Sequence, residues 1–212
     1  MFPTLEVRWI SKGTLPAGIL EWFRSSGKDI EPAHSRIDHY FIGHMRETVG
    51  IKLREGRIEL KVRQKEFGTI RFSDRVAGRL EYWCKWGFGL AEGHGDRGDI
   101  TSAGLPWVGV EKERSVLKHI ITSNGLVSNQ PPEVYPTCGC DVEITALVLD
   151  GEKWWSVALE AYGGDTETMH RNLVLVAEHV FPALESIELD EAISSSYPEW
   201  LVRCGKERFP GS

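Results

Sequence analysis

The chain has 212 residues, of which 26% are charged and 41% apolar, and its formal net charge is −6. That charge argues against general nucleic-acid binding and against attachment to anionic lipid, and no apolar run approaches the roughly 20 residues of a membrane-crossing helix. The opening MFPTLEVRW lacks the basic and apolar regions of a signal peptide. Cys84, Cys138, Cys140 and Cys204 give no framework for a secreted disulfide scaffold, so a cytoplasmic protein is expected.

In chain order, Leu5 to Ile10 reads as a short strand with Glu6 and Arg8 on one face. Pro16 to Ser26 reads as a short helix, with a proline near its start and Gly27 beyond its end. Arg36 to Phe41 is a second strand, with Arg36, Asp38 and Tyr40 on one side. Gly50 to Lys65, GIKLREGRIELKVRQK, then alternates over two halves joined at Gly56, which argues a β-hairpin. One face of it is apolar (Ile51, Leu53, Ile58, Leu60, Val62), and the other carries Lys52, Arg54, Glu59, Lys61 and Arg63. On a half-buried sheet that charged face points to water. On a sheet that closes, it would turn inward around an anionic ligand.

Leu80 to Phe88 is an aromatic-rich strand with Glu81, Trp83 and Lys85 on one face. Gly87 to Gly104 reads as a loop, and the Arg97-Gly98-Asp99 inside it carries no adhesion role in a cytoplasmic protein. Val108 to Val116 alternates again, with Lys112 and Arg114 together. Cys138-Gly-Cys140 reads as free thiols at a turn, since no second cysteine pair exists to complete a zinc site. Asp141 to Leu149 and Trp154 to Ala161 form an antiparallel pair turned at Asp150-Gly151, carrying Glu143 and Glu160. Thr166 to Ser186 has helical spacing, interrupted by Pro182, and a short helix follows through Tyr197 to Leu201. Residues 1–212 thus read as one α+β domain, a strongly curved antiparallel sheet closing into a barrel or tunnel with helices outside. Spacing of His34, His39 and His44 fits no helical metal pair, and the tryptophans read as core packing before nucleobase stacking.

The order of GIKLR, the ELK strand, VEKER, a glutamate-bearing strand and SSSYPEWL resembles the CYTH, or triphosphate tunnel metalloenzyme, superfamily. That resemblance implies a closed antiparallel tunnel, basic where it holds phosphate and lined by metal-binding glutamates. Carried over, it makes Arg8, Lys52, Arg54, Lys61, Arg63, Lys112 and Arg114 phosphate ligands, and Glu6, Glu59, Glu143 and Glu160 metal ligands. It also implies Mg²⁺ or Mn²⁺ as cofactor and a small anionic partner: a triphosphate, nucleotide or polyphosphate. Two departures bear on the metal. Thr4 stands where the opening E-x-E-x-K motif has its first glutamate, and Ala158 replaces one member of a late E-x-E pair. Fewer hard oxygen ligands weaken a Mg²⁺ site, and Arg8 in place of lysine keeps the charge but makes a poorer base. The expected function is therefore polyanion binding with weak metal-dependent phosphohydrolase activity at most. The alternatives are an active metal-dependent triphosphatase or nucleotidyl cyclase-like enzyme, and an interaction domain with no ligand. Cations gathered in one cavity repel each other, so a ligand-free cavity also needs acidic partners.

Overall fold

Strand β1 (Phe2–Lys12) shows how the fold is built, because it is buried on both faces. Leu5, Val7 and Trp9, all at 0% exposure, point to the outside of a sheet, while Thr4, Glu6 and Arg8 point the other way and are almost as deeply buried. A strand with one apolar and one charged face can be buried on both only if the charged face lines an interior of its own.

The computed structural model describes residues 1–27, 31–43, 46–89, 106–184 and 188–208. After β1 come helix α1 (Ala17–Ser25), β2 (Glu31–Phe41), β3 (Val49–Arg54), β4 (Arg57–Arg71), β5 (Ala77–Gly89) and β6 (Trp107–Ile121). Next are β7 (Val127–Gln130), β8 (Gly139–Leu149), β9 (Glu152–Tyr162), helix α2 (Thr166–Val180) and helix α3 (Tyr197–Arg208). The strands lie in the order β2-β3-β4-β5-β1-β9-β8-β6, and β2 pairs with β6 from Glu31 to Phe41, closing an eight-stranded antiparallel barrel. Short β7 extends the sheet beyond β6. The expected barrel with outside helices is what forms. Several strands run longer than the sequence pattern marks, and β5 continues through Gly87 to Gly89, where a loop was expected. Arg97-Gly98-Asp99 and His44 lie outside the described residues.

Two tight turns fix the hairpin registers. Glu55 and Gly56 have φ of 50° and 72°, and Asp150 and Gly151 have φ of 50° and 79°, the paired positive values that match strand twist. Helix α2 starts at an Asp165 cap, whose side chain accepts from Thr168 N at 2.8 Å. It ends before Pro182, inside a short 3₁₀ turn from Phe181 to Ala183, so the proline terminates the helix. Met169, Leu173, Val176 and Val180 of α2 join Ile19, Trp22 and Phe23 of α1 over the outer faces of β1, β8 and β9. Each such buried side chain contributes about 1.5–3 kcal/mol. Buried indoles keep their hydrogen bonds there: Trp22 Nε1 donates to Val180 O and Trp9 Nε1 to Ala77 O.

A second, smaller core closes one end of the barrel. Trp200, Leu201 and Cys204 of α3 pack on Ile10, Val110, Leu147 and Leu149, which point into the lumen at that end. Cys140 lies buried in β8 rather than in a turn, and no disulfide joins the cysteines. Among the described residues no helix is long and apolar enough to cross a membrane.

Candidate functional site

The polar part of the lumen is a cavity of about 310 Å³. Even-numbered residues of β1, β2, β3, β6 and β9 and odd-numbered residues of β4, β5 and β8 face it, as the two-residue period requires. Six of the seven phosphate ligands expected from the sequence line it: Arg8, Lys52, Arg54, Lys61, Lys112 and Arg114. Arg63 does not. It is held at the side by Glu81 and by Glu66 at 3.1 Å, and its guanidinium lies 5.9 Å from the Trp83 ring centre. All four expected carboxylates, Glu6, Glu59, Glu143 and Glu160, also line the cavity.

Acidic partners accompany the cations. Glu143 bridges Arg8 at 2.7 Å and Arg114 at 2.5 Å. Glu6 takes Lys61 at 2.5 Å, and Glu59 takes Arg54 at 2.7 Å and Lys52 at 3.0 Å. Burial alone would raise the Glu143 carboxyl, but Arg114 and Arg8 outweigh it and hold it well below the usual carboxylate range. The same contest, won by Lys61 and Arg8, lowers Glu6, and Lys52 and Arg54 lower Glu59. Burial wins at Glu81, which is raised despite Arg63. It also wins at Asp141, pushed up to about 7 by burial and by neighbouring Glu160.

The two sequence departures have clear structural consequences. Thr4 Oγ1 donates to Glu6 Oε1 at 2.5 Å, so it orients the carboxylate that remains. Ala158 lies between Arg8 and Glu143 in the strand register, and its small side chain lets those two meet across β9. A carboxylate at 158 would stand between them. Glu6, Glu59 and Glu143 are each engaged by cations, and among the described residues no three His, Cys, Asp or Glu side chains form a group able to hold a metal ion. Mg²⁺ and Mn²⁺ need several oxygens at once, and three of the four expected carboxylates are paired with cations here.

Other lining residues were not singled out by sequence. Arg36 and Lys85 add cations, Glu81 a carboxylate, and Tyr40, Ser196 and Tyr197 form part of the wall and floor. Strand parity marked Arg36, Tyr40, Glu81 and Lys85 as sharing faces, without showing which faces met. Tyr197 had no such signal; its ring receives Lys112 Nζ at 3.6 Å and the Arg8 guanidinium at 4.5 Å. In total eight cations and five carboxylates line the cavity. A scan of protein-family models finds no match to this chain, and a search of curated proteins finds none either.

Proposed function

We propose that the lumen binds a small polyanion, a triphosphate-containing molecule or one of similar charge, and that the chain is a divergent CYTH-like protein. The observation that carries this reading is the excess of eight cations over five carboxylates around one cavity, in a chain whose net charge is −6. Positive charge concentrated against the overall sign is a local binding feature. Arginine and lysine arriving from different strands suit phosphate oxygens spread along a chain. The internal ion pairs keep these cations ordered, and an entering triphosphate, with more charge than one carboxylate, would take over the cavity-facing partners.

Hydrolysis is weak or absent in this reading, because Glu6, Glu59 and Glu143 are paired with cations and Thr4 and Ala158 supply no carboxylate. The test measures two quantities on one preparation: inorganic tripolyphosphate binding by calorimetry, and phosphate release with added Mg²⁺ or Mn²⁺. Micromolar binding with little release is expected. Robust metal-dependent release, abolished by Glu160→Gln, would establish the enzymatic alternative instead. Neither binding nor release would leave the ion pairs as a purely internal network.

A further inference from the structure

Asp38 of β2 lies on the lumen-facing side of its strand, covered by the cation side chains at 0% exposure. Its Oδ1 accepts from Arg36 Nε at 3.1 Å. Its Oδ2 lies 3.3 Å from Lys112 Nζ and 3.6 Å from Lys52 Nζ. These cations come from β2, β6 and β3, and each lines the cavity, whereas Asp38 does not. Strand register accounts for the convergence: Arg36 pairs with Lys112 on one side of Asp38, and Tyr40 pairs with Lys52 on the other.

We propose that Asp38 is the positioning residue of the basic wall, an internal counter-anion that holds Arg36, Lys52 and Lys112 as one convergent array. What that array is for rests on the polyanion reading; the array itself does not. Glu6, Glu59 and Glu143 face the cavity, where an entering anion can displace them. Asp38 is covered by the cations it holds, so its charge lies beneath them and not at the cavity surface. A buried carboxylate among three cations is strongly favoured in its ionised form. Burial opposes this, but Lys112, Lys52 and Arg36 hold Asp38 well below the usual carboxylate range.

Lys112 is the group whose behaviour reports on Asp38. It is 4% exposed, and its Nζ donates to Tyr40 Oη at 2.7 Å. Asp38, Arg36 and Tyr40 face it from β2, Lys52 from β3, Glu143 from β8, Arg8 from β1 and Tyr197 from α3. Burial lowers its titration to about 8, with Arg8 and Arg36 pushing the same way and Asp38 and Glu143 opposing. Removing Asp38 takes away the foremost of the groups that keep it charged.

The experiment follows the Lys112 ε-carbon by NMR through a pH titration, assigned with Lys112→Arg, in the parent and in Asp38→Asn. Tripolyphosphate binding is measured over the same pH range. In Asp38→Asn the Lys112 midpoint should fall by roughly one pH unit or more. The pH at which binding is half lost should fall with it. An unmoved midpoint, with affinity reduced by the same factor at every pH, overturns the proposal and leaves Asp38 a packing role. A shifted midpoint in a protein that binds no tripolyphosphate at any pH supports the Asp38 assignment and refutes the polyanion reading. If Asp38→Asn does not fold, Arg36→Gln/Asp38→Asn removes one charge of each sign, and a smaller fall in the same direction is expected, because Asp38 acts on Lys112 more strongly than Arg36 does.

Discussion

The two halves of the barrel lumen are made of the same alternating strands, yet their charges are balanced in different ways. Strands β6, β2, β3 and β4 contribute Lys112, Arg114, Arg36, Lys52, Arg54 and Lys61, restrained by Asp38 and Glu59. Strands β5, β1, β9 and β8 place Glu81, Glu6, Glu160 and Asp141 side by side in direct register. On the basic half the counter-charge is partly hidden beneath the cations. On the acidic half it is largely borrowed: Lys61, Arg63 and Arg114 reach across from the basic strands, and only the Arg8–Glu143 pair is internal to it. At Asp141 the pull of Arg114 and Lys118 is too weak, and burial and the neighbouring carboxylate favour the protonated form instead. Closure of the barrel is therefore also an electrostatic event: neither half can bury its charges without the other.

The largest break in this arrangement comes from Glu143→Gln. Glu143 and Arg8 are each 7% exposed, and Arg114 shares the same carboxylate. Losing it leaves two cations facing each other with their common partner gone, which costs about 3–5 kcal/mol of folding stability. Urea unfolding at pH 7 checks this, and a loss under 1 kcal/mol would show that the halves are not electrostatically joined. The sign has a pH window. Glu143 is lowered by folding, so its contribution is complete above its ordinary value of 4.5 and is lost as pH falls below that toward the folded value.

A smaller and more selective contrast separates the halves by ligand. Arg54 is 31% exposed, so Arg54→Ala should fold normally yet lose about 1.5–3 kcal/mol of tripolyphosphate affinity, on the order of 10- to 100-fold. Glu160→Gln, on the acidic half, should leave that affinity equal or raise it slightly. Equal losses in both variants, seen by calorimetry without added metal, would mean that the carboxylate row takes part in binding.

Asp141→Asn should stabilise the protein. Asp141 titrates near 7 in the fold against an ordinary 3.8, so the folded state holds its proton more tightly and stability falls as pH rises between those values. The amide removes that penalty while still accepting from Tyr162 Oη, which lies 3.1 Å from Asp141 Oδ1. A gain of about 1–2 kcal/mol is expected at pH 8, discounted for partial solvent screening, and almost none at pH 4. Thermal unfolding at the two pH values decides it; an equal gain at both would assign the effect to packing.

Much of this was legible in the sequence, and the reason is periodicity. The alternation in Gly50 to Lys65 marked one charged and one apolar face, and its four lining residues with six from β1, β6, β8 and β9 make ten that the sequence singled out. Parity places a residue on a face; it cannot show how far around the barrel that residue sits. Arg63 has the right parity but sits beside Glu81, where the β4 register shifts between Arg63 and Lys65. Asp38 was visible beside Arg36 and Tyr40, but its partner Lys52 comes from neighbouring β3, and Lys112 from β6, which meets β2 only when the barrel closes. Tyr197 enters from a helix that closes the end of the barrel, and no strand pattern foretells it. The sequence marked Thr4 and Ala158 only as departures from a resemblance; that one orients Glu6 and the other makes room for the Arg8–Glu143 pair depends on three-dimensional neighbours.

The smallest effect is expected where the same chemistry occurs outside the lumen. Lys12 meets Glu152 at 2.6 Å, essentially the 2.7 Å of Arg8 and Glu143, and both pairs join strands of the same barrel. The difference is exposure, 62% and 48% for the outer pair against 7% for each member of the inner one. In water the Coulomb gain of the outer pair is screened and must offset the ordering of two long side chains. Lys12 also lies 5.7 Å from the Trp154 ring centre, an exposed contact of similarly small value. Lys12→Ala should therefore change stability by no more than about 0.5 kcal/mol, and raising the salt concentration should shrink even that. Measured beside Glu143→Gln in the same urea series, it tests whether burial, not distance, sets the strength of these pairs. A Lys12→Ala loss comparable to that of Glu143→Gln would mean that the lumen gives its charges no special environment, and the contrast between inside and outside would fail.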